Sequence, residues 1–194
     1  MKLIFDYLLA FIGLFLLSPL LILISIFIKF TSRGPVFYTQ QRVGRFGKLF
    51  TILKFRSMTA DHADSNTITV SGDMRITKFG RFLRKYKLDE LPELLNIIKG
   101  EMSFVGPRPD LPGYADNLKG KDRKILELRP GITSVASLKY ANEESILAAQ
   151  ENPLKFNDEV IYFDKVKLNL DYYYNNNLWV DIKIIFATLF RVNY

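Results

Sequence analysis

Tyr7-Leu-Leu-Ala-Phe-Ile-Gly-Leu-Phe-Leu-Leu-Ser-Pro-Leu-Leu-Ile-Leu-Ile-Ser-Ile-Phe-Ile28 carries no charged residue, and most of its side chains are Leu, Ile or Phe. At about 1.5 Å per residue, a helix of this length matches the hydrocarbon core of a bilayer. Ser18-Pro19 interrupts the run at its middle. Proline removes a backbone donor and crowds the preceding turn, so a helix must kink or break there. Two topologies follow: a hairpin that dips into one leaflet and returns, or one bent helix that spans. Lys2 and Asp6 precede the run, and a polar N-terminus able to rest at the interface favours the hairpin. Lys29, Arg33, Arg42, Arg45 and Lys48 follow closely, which places the rest of the chain on the cytoplasmic side. The run is longer than a signal-peptide core, and Lys29-Phe-Thr-Ser-Arg33 makes a poor cleavage site, so the segment reads as retained. The expected organisation is a membrane helix over residues 1–30, broken at Ser18-Pro19 and re-entrant if its polar N-terminus stays on the side of entry, and a cytoplasmic domain over 31–194.

The chain has 194 residues and a formal charge of +7, enough for one domain beside the membrane element. The excess of cations favours a polyanionic partner: an anionic lipid surface, a nucleic acid or a phosphorylated substrate. The positive-inside rule accounts for much of the same charge. There is no cysteine, which excludes disulfides, thiolate catalysis and Cys-ligated metals.

The fold class reads as α/β, mostly helical with a small sheet. Val36-Phe-Tyr38 and Leu49–Phe55 have strand composition, with a turn at Gly44 and Gly47. Ala60–Gly72 reads as a polar surface loop. Ile76, Phe79, Phe82 and Leu83 recur at helical spacing, and Leu91, Leu94, Leu95 and Ile98 give the next helix one apolar face. Asp89 stands at that helix's N-cap position, Pro92 in its first turn and Gly100 after its end. Val105-Gly-Pro-Arg-Pro109 is a rigid turn, and Arg129-Pro-Gly-Ile-Thr133 a turn leading into a strand. Helices are expected after Gly120, over Asn142–Gln150 and over Phe156–Tyr174. Leu178–Val192 is apolar enough to be a core helix or to lie at a membrane interface.

Asp89-Glu90 is the leading chemical candidate. A carboxylate at a helix start is favoured by the dipole and by free amides, which would hold Asp89 ionised as a nucleophile or metal ligand. Plain capping explains most such aspartates. The surroundings favour chemistry. Lys78, Arg81, Arg84 and Lys85 form a basic face leading to the pair, Arg108 is held between two prolines, and Lys54 and Arg56 alternate on a strand. Together they describe a site for a phosphate-rich ligand beside carboxylates that suit Mg²⁺. No Walker A loop or dinucleotide fingerprint occurs. His62, the sole histidine, makes a His-based triad or zinc site a poor fit.

Five ordered blocks carry a resemblance: Lys54-Phe-Arg-Ser-Met58, Thr77-Lys-Phe-Gly-Arg-Phe-Leu-Arg84, Leu88-Asp-Glu-Leu-Pro-Glu-Leu-Leu-Asn96, Lys99-Gly-Glu-Met-Ser-Phe-Val-Gly-Pro-Arg-Pro109 and Arg129-Pro-Gly-Ile-Thr133. The chain resembles the bacterial sugar transferases, the monotopic phosphoglycosyl transferases, from the Ser-Pro hairpin to Asp181-Ile-Lys-Ile184, in a small form with only the catalytic domain. The resemblance implies transfer of a sugar-1-phosphate from a UDP-sugar to a polyprenol phosphate such as undecaprenyl phosphate. UMP is released, at the cytoplasmic face of the bacterial inner membrane, through a phosphosugar on the aspartate of an Asp-Glu dyad with Mg²⁺ as cofactor. The dyad maps onto Asp89 and Glu90, which would also hold the metal. The resemblance further implies phosphate contacts by Lys54, Arg84, Arg108 and Arg129, the helix break at Ser18 and Pro19, a later acidic position at Asp171, and amphipathic helices resting on anionic lipid. Many members continue after the Arg-Pro-Gly-Ile-Thr block with a Gly-Trp-Ala-Gln type sequence. This chain has Ser134-Val-Ala-Ser-Leu-Lys-Tyr-Ala-Asn-Glu-Glu144 instead, which leaves the sugar open. A non-catalytic basic membrane adaptor is the alternative, and loss of the Asp-Glu pair would mark it. Nucleic acid is not an expected partner, because Phe79 and Phe82 are explained as the apolar face of their helix.

Overall fold

The computed structural model describes residues 1–59 and 75–192. The expected loop Ala60–Gly72, with His62, lies outside the described residues. The architecture is mostly helical with two small pieces of sheet. Helix α1 (Lys2–Thr31) leads into an antiparallel hairpin of β1 (Phe37–Val43) and β2 (Leu49–Phe55). The hairpin pairs Phe37 with Phe55 and Val43 with Leu49. After α2 (Lys78–Lys85) and α3 (Glu93–Ile98), β3 (Ser103–Val105) pairs in parallel with β4 (Gly131–Thr133). Short helices α4 (Val135–Lys139), α5 (Glu143–Ala148) and α6 (Pro153–Phe156) precede the longer α7 (Tyr162–Asn175) and α8 (Leu178–Phe190). The helix expected from Phe156 is interrupted by a π turn over Asn157–Ile161. The segment after Gly120 forms a 3₁₀ turn, Asp122–Glu127.

The β3–β4 pairing brings two of the sequence blocks together. Their glycines permit it: a Cβ on Gly106 would lie 2.2 Å from the Arg129 carbonyl oxygen, and one on Gly131 2.2 Å from the Gly106 nitrogen. Backbone could not approach this closely past any side chain.

Helix α1 is the only described helix long and apolar enough to cross a membrane. It is one continuous helix with Pro19 inside it, rather than two halves split at Ser18-Pro19. The local chemistry explains the continuity. Pro19 has no N–H for the Phe15 carbonyl, and the Ser18 hydroxyl donates to that carbonyl instead, at 2.8 Å.

One face of α1 belongs to the core. Its first half packs Ala10, Leu14 and Leu17 on Phe50, Ile52, Leu94 and Ile97. Its second half packs Ile24 and Ile28 on Phe55 and Leu83. Burying each of these isoleucines contributes about 2 kcal/mol. The opposite face is bare: Phe15 is 80% exposed and Phe30 85%. On α8, Trp179, Phe186 and Leu189 are likewise exposed.

Both ends of α1 are tied to the same domain. Lys2 Nζ donates to the Val105 carbonyl at 3.1 Å and meets Asp181 at 2.5 Å. Asp6, buried, accepts from Ser103 Oγ at 2.8 Å and from the Phe104 N–H at 3.3 Å. At the other end Arg56 donates to the Ser32 and Arg33 carbonyls, both at 2.8 Å. Arg56 therefore fastens α1 and does not join Lys54 in a phosphate site.

Candidate active site

The site forms where α2 turns into α3. Lys87 adopts a left-handed backbone (φ 56°), and Leu88–Glu90 makes a single 3₁₀ turn. A non-glycine residue in that region costs about 1 kcal/mol and persists where its surroundings fix it. Leu88 packs in the cluster containing Leu20, Leu21 and Ile24 of α1, so α1 itself supports the turn.

Asp89 is not the N-cap of α3. That helix starts at Glu93, with Pro92 before it and no side-chain cap. A capping Asp89 would need the N–H of Leu91 or of residue 92. The Leu91 N–H donates to the Leu88 carbonyl, and Pro92 has none. Asp89 is instead buried, and its Oδ1 finds no hydrogen-bond partner among the described residues. Burial, then the charge of Glu90, pushes its carboxyl above the ordinary aspartate value; Lys54, Arg84 and Lys87 partly oppose this. The helix end thus does not hold Asp89 ionised. The neighbouring cations favour its anion, and burial leaves that anion poorly solvated.

Glu90 is the opposite. Its Oε1 receives Lys54 Nζ at 2.8 Å and an Arg108 guanidinium nitrogen at 2.6 Å. Burial raises its pKa, but Arg108 and Lys54 outweigh burial and hold the carboxyl well below the usual glutamate range. Lys54 Nζ also lies 3.1 Å from Glu93 Oε1, one turn on. Burial raises the Glu93 carboxyl despite Lys54. On Lys54, burial favours the neutral form, and the two glutamates overcome it and raise the ammonium's pKa.

Among the expected phosphate ligands, Lys54 and Arg108 join the dyad directly. Arg84 sits at the end of α2 and pairs with Glu144 of α5. Arg129 does not join them: its Nε donates to the Gly100 carbonyl at 2.9 Å, beyond the far end of α3. Asp171 is exposed on α7, where its Oδ1 accepts from Asn175 Nδ2 at 2.9 Å. Neither was separable by sequence from the residues that do assemble.

Two acidic residues escaped the sequence reading. Glu93 was concealed within a leucine-rich block, although it lies one turn from Glu90. Asp110, directly after Pro-Arg-Pro, is pushed up to about 6 by burial, against Lys165, Arg42 and Arg108. Nothing local in the sequence marks it.

Behind Lys54 a cavity of about 20 Å³ is lined by Arg42, Ile52, Glu93, Arg108, Pro109 and Gly131. That is room for about one water.

For a divalent cation the donor set fits in part. No group of three or more carboxylates or imidazoles converges among the described residues. Asp89, with its unpartnered buried oxygen, and Glu90 supply two carboxylates, the number Mg²⁺ takes when substrate phosphates complete its shell.

The sequence profile of the bacterial sugar transferases matches residues 1–193. A UDP-glucose:undecaprenyl-phosphate glucose-1-phosphate transferase from Klebsiella pneumoniae is 35% identical over 191 residues, 96% of this chain and 38% of its own. A UDP-N-acetylgalactosamine-undecaprenyl-phosphate N-acetylgalactosaminephosphotransferase from Aeromonas hydrophila is 35% identical over 193 residues, 41% of its length. The chain thus spans about two fifths of these relatives. It covers 87% of EpsL, an uncharacterized sugar transferase of Bacillus subtilis, at 35% identity. A profile match along nearly the whole chain, together with these relatives, places this protein in the bacterial sugar transferase family.

Proposed function

We propose that this protein transfers a sugar-1-phosphate from a UDP-sugar to undecaprenyl phosphate at the cytoplasmic face of the bacterial inner membrane, as a first membrane step of glycoconjugate assembly. The observation that carries this reading is the contrast within the dyad: Glu90 is held by two cations, while Asp89 is buried with an unpartnered oxygen. A desolvated carboxylate with a raised pKa is the better nucleophile once ionised. Asp89 attacks the phosphorus that bears the sugar. The phosphoanhydride bond breaks, its electron pair leaves with UMP, and an aspartyl phosphosugar forms. The lipid phosphate oxygen then attacks the same phosphorus, returning the electron pair to Asp89 and leaving a polyprenol diphosphate sugar.

Arg108, half-exposed beside Glu90, and Arg84 neutralise the diphosphate as it binds. Glu90 orients Lys54 and Arg108. Mg²⁺ would be held by Asp89 and Glu90 and would supply charge neutralisation at the donor diphosphate. The activities named for the relatives support the donor and acceptor classes. At equal identity those names give glucose for one and N-acetylgalactosamine for the other, so similarity alone does not choose the sugar.

The topology belongs to the same proposal. Thirty residues of helix extend about 45 Å, longer than the hydrocarbon core. Attachment of Lys2, Asp6, Ser32 and Arg33 to one domain supports a helix that enters and leaves on one face. The bare faces of α1 and α8 would rest in lipid, with anionic headgroups against the surface cations.

The test is turnover of a panel of UDP-sugars with undecaprenyl phosphate, scored by UMP release with and without chelation of Mg²⁺. No UMP release with any donor would sink the reaction. Full activity after chelation would remove the metal.

A further inference from the structure

Three cations act on Asp89, and they are engaged differently. Lys54 is buried between Glu90 and Glu93. Lys87 is exposed on the turn itself. Arg84 ends α2, and its carbonyl accepts the Lys87 N–H at 3.1 Å, so it stands at the mouth of the turn carrying the dyad. Its carboxylate partner, Glu144, differs from the glutamates of the cluster. The Glu144 side chain is 47% exposed, against 9% for Glu90. It comes from six-residue helix α5, downstream of the Arg129-Pro-Gly-Ile-Thr133 turn. Its neighbour Glu143 uses both oxygens on Lys165, at 2.6 and 2.7 Å, which fixes α5 with Glu144 on Arg84.

We propose that Glu144 is an internal stand-in for the donor's phosphate: it occupies Arg84 in the resting enzyme and is displaced when a UDP-sugar binds, so that it sets donor affinity. This rests on the reading of the donor as a UDP-sugar. Glu144 is the more open partner of this half-exposed pair, and a pair that water can reach is weak enough to exchange. A diphosphate carries more charge and can engage the guanidinium through two oxygens. Glu144 is a competitor at this arginine and takes no part in the bond-making steps.

The test is calorimetric titration of detergent-solubilised protein with UDP in the presence of Mg²⁺, with kcat and KM for an active UDP-sugar alongside. Glu144→Gln should tighten UDP binding and lower KM by about threefold to fivefold, with kcat within about twofold of wild type. Glu144→Ala should do the same. In an Arg84→Gln background the Glu144 substitution should give no gain. Equal UDP affinity in wild type and Glu144→Gln overturns the inference alone. So does weaker binding by Glu144→Gln, which would make Glu144 a support for Arg84, or a gain that survives loss of Arg84. Failure of the wild type to bind UDP at all overturns the donor assignment and the inference together.

Discussion

A carboxylate removed from water is costly to ionise when an oxygen lacks a donor, and Asp89 Oδ1 has none among the described residues, while Glu90 beside it is held by two cations. This asymmetry makes a sharp expectation for Asp89→Asn. The amide has nearly the same volume and removes a buried charge, so folding should be unharmed while turnover is abolished. Intact-mass measurement with donor alone should show a phosphosugar adduct on the wild type and none on the variant; an adduct on Asp89→Asn would transfer the role to another residue. Asp110 gives a second expectation. Its folded value of about 6 lies above the unfolded value near 4. Between those values the folded state keeps a proton that the unfolded chain releases. Its contribution is therefore fully present below about pH 4 and is lost as pH rises to about 6. Asp110→Asn should raise the urea midpoint at pH 7.5, with the gap closing at pH 4. A gap of equal size at both pH values would show that burial does not govern Asp110. The Asp-Glu pair was legible from sequence because it stands out in a leucine-rich block. What distinguishes its members was not, since that depends on Lys54 and Arg108, brought from 36 and 18 residues away.

Elements show a similar division. Strand β2 was readable to the residue, because an apolar run bounded by polar turns leaves little choice. The buried face of α3 was misread. Counting leucines selects Leu91, Leu94, Leu95 and Ile98, whereas Glu93, Leu94, Asn96 and Ile97 are the buried positions and Leu95 is exposed. The helix is packed on two sides, by α1 and by β2, and Asn96 serves the second contact. Its side chain accepts the Leu53 N–H at 3.1 Å and donates to the Thr51 carbonyl at 2.8 Å. Asn96→Leu should cost about 3 kcal/mol by leaving both backbone groups unsatisfied, measurable as a lowered midpoint in chemical denaturation; an unchanged midpoint would show that this docking adds nothing. Helix α1 offers a cycle. Ser18→Ala leaves the Phe15 carbonyl without that donor. Adding Pro19→Leu restores an N–H for it. The double variant should therefore melt above Ser18→Ala alone, and a double variant no better than the single would mean that the hydroxyl is not the substitute donor.

At the scale of the molecule, the amphipathic arrangement was partly legible: an apolar run and a basic remainder are properties of composition. The fastening of Lys2 to Asp181, 179 residues away, is a property of the fold. It yields the topological expectation. A cysteine appended ahead of Met1 should resist a membrane-impermeant thiol reagent in intact cells and react in inverted vesicles. Labelling from outside would make α1 a spanning helix. The inner face of α1 carries a further consequence, for preparation of the protein. Ala10, Ile24 and Ile28 are as much the interior of the catalytic body as Phe50 or Leu83. Deleting the first 31 residues would not liberate a water-soluble enzyme. It would peel the lining from two apolar clusters and uncover Leu88, in the turn that carries Asp89. Such a truncation should aggregate on expression, whereas the intact chain should stay dispersed in detergent.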